Sequence, residues 1–317
     1  MKRLISFLTF ILLCVPFSFA DVSLIAVLNN NGEISTYTST TAFKDALDNA
    51  QEGAIISLSG GNFVGANITK NVTVRGSSMM PGENPTILNG NFEININSSS
   101  SGTLTLEGLY VQGQCSLVQG NVINFMKCYF NVVRTNQSYL TINAVRAIHC
   151  IFENYVNIIN TPNCKSLEFL NCYVESISKD NSIGMEMTNC VISNISGSNL
   201  SSFNNCIIHN GANLNICTFN NCVSNKVQLP GSIYAGNKYL PEISDFSMFF
   251  KEGGGVYELK DEYATTLIGG DGTQVGMYGG SLPFSTSNSG LKITKFNVAS
   301  KTTSDGMLPI EISIEAE

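Results

Sequence analysis

Three residues could do chemistry together. Arg146, Glu168 and Glu186 recur 22 and 18 residues apart. A carboxylate can abstract the proton next to a uronate carboxylate if a cation neutralises that acid, either an arginine or a Ca²⁺ held by acidic side chains. Two glutamates beside an arginine suit such a lyase step. A surface charge ladder in which Arg146 relieves Glu168 explains the same residues without any reaction, and it is the default. A second set, Tyr110, Tyr129 and Tyr173, could present rings to sugars. Of the two histidines, His149 falls where a turn is expected, and His209 stands apart. No CxxC occurs, so no zinc ribbon or thioredoxin-like motif is present, and no metal site or cofactor is expected unless the lyase chemistry brings Ca²⁺.

These residues share a phase because the chain repeats. The units are LTLEGLYV (104–111), INFMKCYF (123–130), VRAIHCIF (145–152), LEFLNCYV (167–174), MEMTNCVI (185–192), SSFNNCII (201–208) and CTFNNCVS (217–224), with registers 19, 22, 22, 18, 16 and 16 residues apart. Within each unit, period-2 alternation runs for four residues, breaks for two, and resumes. That pattern marks two short strands around a corner, each with one face buried. Positions one, three, six and eight point inward. Position two (Thr105, Asn124, Arg146, Glu168, Glu186, Ser202, Thr218) points outward, as does position seven (Tyr110, Tyr129, Ile151, Tyr173, Val191, Ile207, Val223). Coils of this length are too short for helix pairs and suit stacked strands in a parallel β-helix about 4.8 Å apart.

The corner residue at position five is Gly108, Lys127, His149, Asn171, Asn189, Asn205 and Asn221 in turn. A left-handed backbone is expected there, which Gly and Asn tolerate best, and the asparagines are expected to stack as a ladder. The cysteines at position six (Cys128, Cys150, Cys172, Cys190, Cys206, Cys222) read as small inward hydrophobes. Stacked at about 4.8 Å, their Cβ atoms lie outside disulfide range. Cys115, Cys164 and Cys217 fall outside the column, with no pairing evident. The apolar row at position seven has three readings: cover by the tail or by inter-coil loops, an oligomer or partner interface, or a sugar platform.

A net charge of −7, 13% charged residues and no basic cluster argue against a nucleic-acid partner. Lys2 and Arg3, the apolar run to Phe17, and Ser18-Phe19-Ala20 predict a signal peptide over 1–20 and hence export, to the cell surface, the medium or the periplasm. No later run is apolar and long enough for a transmembrane segment. STTAFKDALDNAQEG (39–53) has helical apolar spacing closed by Gly53, and it predicts a cap over the first coil. The tail, 291–317, reads as two strands around Ser304-Asp305-Gly306 within a C-terminal segment, 281–317.

The capping helix followed by ITKNVTVRG (68–76), together with DFSMFF…DGTQVGMYGG (245–280), resembles the right-handed parallel β-helix proteins of the pectin-lyase-like superfamily, secreted bacterial type. The resemblance covers roughly 39–280. It implies a β-helix domain over 21–280 with 245–280 as its last coil, and it implies no particular activity, because the superfamily holds lyases, hydrolases, epimerases and adhesins. The Asp-Asp and Gly-His-Gly elements of a polygalacturonase-like site are absent, and with no Trp the pectate-lyase W-[IV]-D-H cannot occur. The expectation is an exported, non-catalytic all-β scaffold contacting glycans or proteins, with oligomers possible. The alternative is a polysaccharide lyase or hydrolase acting on an acidic polymer through Arg146, Glu168 and Glu186.

Overall fold

The structure, a computed structural model, describes residues 24–287 apart from 98–100, 136–140, 159–163, 180–183, 197–199, 213, 215, 227–228 and 230–235, together with the backbone of the strands Leu291–Val298 and Ile310–Ala316. The leader expected at 1–20 lies outside the described residues. The chain forms a parallel β-solenoid of about eight turns. Its register is that of the repeat. Leu104 pairs with Ile123, Ile123 with Val145, Val145 with Leu167, Leu167 with Met185, and Met185 with Ser201.

Inward positions build one continuous core. Leu106, Phe125, Ala147, Phe169, Met187, Phe203 and Phe219 are buried, as are the six cysteines of the column and the residues two places beyond them. Rings stack from coil to coil, Phe130 on Phe152 at 5.5 Å and Phe203 on Phe219 at 4.9 Å. All nine described cysteines are free. In the column, thiols donate to carbonyls, as Cys172 does to Leu170 O at 3.3 Å and Ala147 O at 3.4 Å. Burial pushes the Cys128, Cys172, Cys206 and Cys222 thiols well up, which keeps them protonated and inert.

Each corner takes the expected left-handed backbone. The φ angles are 65° at Gly108, 49° at Lys127, 53° at His149, 50° at Asn171, 51° at Asn189, 55° at Asn205 and 51° at Asn221. From Gly108 to Asn205 the turn aims the corner N–H at the next coil. His149 N donates to Leu170 O at 3.0 Å, and Asn171 N donates to Thr188 O at 3.0 Å, so the ladder continues around the bend. The asparagine side chains of Asn171 and Asn205 bond to a distant part of the chain.

The first coil is closed by the helix α1 (Ala42–Asn49), which buries Ala42, Phe43, Ala46 and Leu47. Its C-terminal carbonyls are held by Lys70 Nζ, which donates to Leu47 O, Asp48 O and Ala50 O at 3.0, 3.0 and 2.7 Å. A cation is favourable at that end of a helix. The sequence did not announce the antiparallel hairpin of β1 (Ile25–Asn30) and β2 (Glu33–Thr38), in which β1 also pairs antiparallel with β3 (Ile55–Leu58). Among the described residues no helix is long and apolar enough to cross a membrane.

One expectation is corrected. Residues 245–280 add no rung to the parallel ladder, which ends with Lys238–Tyr239 paired to Val223–Ser224. They form a 3₁₀ turn (Phe246–Phe249), a short helix (Asp261–Thr266) and turns, and they run back along the solenoid as a strap. Their apolar residues are too many for the two inward rows of one coil, and the outward row at position seven offers a second apolar surface to bury them. The tail forms the expected pair of strands, antiparallel, with Leu291 opposite Ala316 and Val298 opposite Ile310.

Candidate functional site

The parallel register places Arg146 beside Glu168, and Glu168 beside Glu186, on one outward face. Arg146 Nε lies 2.9 Å from Glu168 Oε2, with the side chains 51% and 40% exposed. Ser166 Oγ donates to the other oxygen of Glu168 at 3.2 Å. Both carboxylate oxygens are therefore held, and the guanidinium is turned to Glu168. Such an exposed pair adds little stability. Glu186 is exposed and has no ion-pair partner among the described residues.

These residues line a groove. A depression of about 330 Å³ runs over Glu168, Glu186, Ser202 and Thr218, with Lys165 at one side and Leu200 and Ile216 as an apolar shoulder. A second, of about 180 Å³, shares Glu168 and Glu186 and extends to Arg146 and Thr188. Leu200 and Ile216 are 54% and 61% exposed, unusual for aliphatics flanking a polar row. From Arg146 to Thr218 the groove crosses four coil steps, roughly 19 Å at about 4.8 Å each. Beside it an amide ladder is fixed, with Asn220 Nδ2 donating to Asn204 Oδ1 at 2.8 Å and Asn204 Nδ2 to Ser202 Oγ at 3.4 Å. Among the described residues no group of three or more His, Cys, Asp or Glu side chains is placed to hold a metal ion.

The tyrosine row is different. Tyr173 is 4% exposed and stacks on Tyr257 of the strap, ring centroids 3.6 Å apart and 10° from parallel. A covered ring cannot serve as an open sugar platform, so Tyr173 is removed from that role. Tyr129 is half-buried, and burial, then the Glu153 carboxylate bonded to its hydroxyl, push its pKa well up. Tyr110 meets Tyr129 edge-on at 4.8 Å and is half-buried. Ile151, Val191, Ile207 and Val223 of the same row are buried with Phe249, Leu259, Leu267, Val275 and Met277 of the strap. The segment 243–284 thus covers this part of the row.

The corner column fastens this cover. Asn171 Nδ2 donates to Met277 O at 2.6 Å and to Gly279 O at 2.8 Å. Asn205 Oδ1 accepts from Gly270 N at 2.9 Å, and its Nδ2 donates to Asp271 Oδ2 at 3.1 Å. His149 Nε2 lies 3.0 Å from Leu282 O, and Lys127 Nζ donates to Ser287 O. Gly280, at φ +80°, passes so close to Asn189 that a Cβ would come within 2.2 Å of the amide nitrogen. Sequence reasoning found the column and missed its task, because the partner lies 65 to 160 residues away.

Comparison of the chain with protein-family models, with curated proteins and with solved structures yields no match.

Proposed function

We propose that this protein is an exported, non-catalytic β-helix scaffold of the pectin-lyase-like kind that holds glycans at the cell surface along the groove of Glu168, Glu186, Ser202 and Thr218. The observation that carries the reading is the groove itself: an open polar row bordered by the exposed Leu200 and Ile216. A sugar polymer presents hydroxyls and apolar C–H faces in alternation, and such a row with an apolar shoulder meets both. Arg146 Nε is paired with Glu168, which accounts for that arginine without a substrate acid. The deciding experiment is a panel of neutral and acidic polysaccharides read for binding and for new unsaturated ends. Glu186→Ala with Ser202→Ala should weaken binding tenfold or more without product forming; undiminished binding in that variant overturns the groove.

The second reading, a lyase acting on an acidic polysaccharide, is favoured by one observation, the adjacency of Arg146, Glu168 and Glu186 on one face. It requires unsaturated product, its loss in Glu168→Gln or Glu186→Gln, and dependence on Ca²⁺.

A further inference from the structure

The strap does more than cover the apolar row. Where it turns, Phe246, Met248, Phe250 and Tyr257 line an open cleft of about 410 Å³, together with Glu252 and Lys260. The rings make two corners. Phe246 and Phe250 are 5.2 Å apart at 86°, and Phe250 and Tyr257 are 5.4 Å apart at 86°. Phe250 is the buried floor, Tyr257 is fixed from behind by its stack on Tyr173, and Met248 stands 42% exposed at the rim. Buried rings normally fill such space with protein atoms; here ring surface faces a concave opening.

We propose that this cleft binds a neutral pyranose ring, as a second glycan contact of the scaffold argued above, on whose glycan reading it rests. The polar groups decide the ligand class. Lys251 is spent on Glu258 at 2.6 Å and Asp261 at 2.9 Å. That leaves Lys260, which has no ion pair among the described residues, in the same lining as Glu252. The lining holds one carboxylate, Glu252, and one uncommitted ammonium, Lys260, so an anionic sugar would leave the cleft with a net negative charge. A wholly apolar ligand would give neither lining charge a partner. A neutral pyranose lays its C–H face on the rings and gives its hydroxyls a carboxylate acceptor at Glu252 and an ammonium donor at Lys260. The cleft shares no lining residue with the groove, so one polymer that reached both would gain by effective concentration.

The test uses the mature chain with neutral oligosaccharides built on glucose, mannose, galactose and xylose, and with a uronic-acid oligosaccharide beside them, read by saturation-transfer NMR with irradiation of the aromatic protons and by calorimetry. Glu252→Ala with Lys260→Ala is the cleft variant, because both line the cleft, neither is buried, and an unchanged melting temperature certifies its fold. At least one neutral sugar should receive saturation from the aromatic protons, with affinity at least tenfold weaker in the variant. Equal affinity in the variant, or transfer to the acidic sugar alone, overturns the assignment. Binding that is lost in Glu186→Ala/Ser202→Ala but kept in the cleft variant sinks the cleft and leaves the groove standing. Silence of every glycan sinks both.

Discussion

His149 shows how one position can carry two jobs. As a corner residue it holds φ at 53°, and as a side chain it bonds Leu282 O, with its ring 6.0 Å from Phe284. Its Nδ1 is buried without a partner. Burial, with Lys127 nearby, lowers its pKa below the ordinary 6.5, since a second proton would sit uncompensated. The folded state therefore prefers the neutral ring. That contribution to stability is complete above about pH 6.5 and is lost as the pH falls below it. The melting temperature should drop between pH 7 and 5, and His149→Asn, which restores the amide of the neighbouring coils, should flatten that part of the profile. Parallel profiles for the two proteins would show that His149 is not the titrating group.

At the scale of the element, the strap is recognised as a bound peptide would be, with an apolar row beneath it and amides along one edge. Asn171→Ala leaves Met277 O and Gly279 O without their donor in a buried setting, and should cost about 2–4 kcal/mol in a denaturant titration. Removing 288–317 should leave the row covered and the protein silent to a hydrophobic dye. Removing 243–317 should expose Ile151, Tyr173, Val191 and Ile207 and produce dye binding and aggregation. Dye binding after the shorter truncation would assign the cover to the tail strands instead.

Across the whole molecule, stability is distributed along one axis, each coil resting on its neighbours. The ends are treated individually: α1 and its hairpin close one, and at the other Asn237 imitates a further rung. Its Oδ1 accepts from Cys222 N at 2.8 Å, and its Nδ2 donates to Phe219 O at 2.8 Å. The thiols report on this integrity. Alkylation of the native protein should modify Cys217 alone, the one described cysteine that is not buried, whereas denaturation without reductant should release all nine. Early labelling of Cys172 or Cys206 would mean that coils open locally.

What the sequence determined by itself was everything local to a coil: the alternation of Leu167, Glu168 and Phe169, the corner at Asn171, the inward Cys172, and thus the register that brings Arg146, Glu168 and Glu186 together. Parallel stacking repeats one local geometry, so neighbours in phase become neighbours in space. Only the tertiary structure decided which outward rows stay outward. Position two remains an open groove, whereas position seven is buried beneath Tyr257 and Phe249, and that difference depends on a segment without repeat or period. Its bonds to the corner column span 65 residues or more, and its shape is set by turns at Gly270, Gly276 and Gly280 fitting against the asparagine column. No periodicity in the strap's own residues signals that partner, because the complementarity lies in backbone carbonyls and amides that every sequence shares.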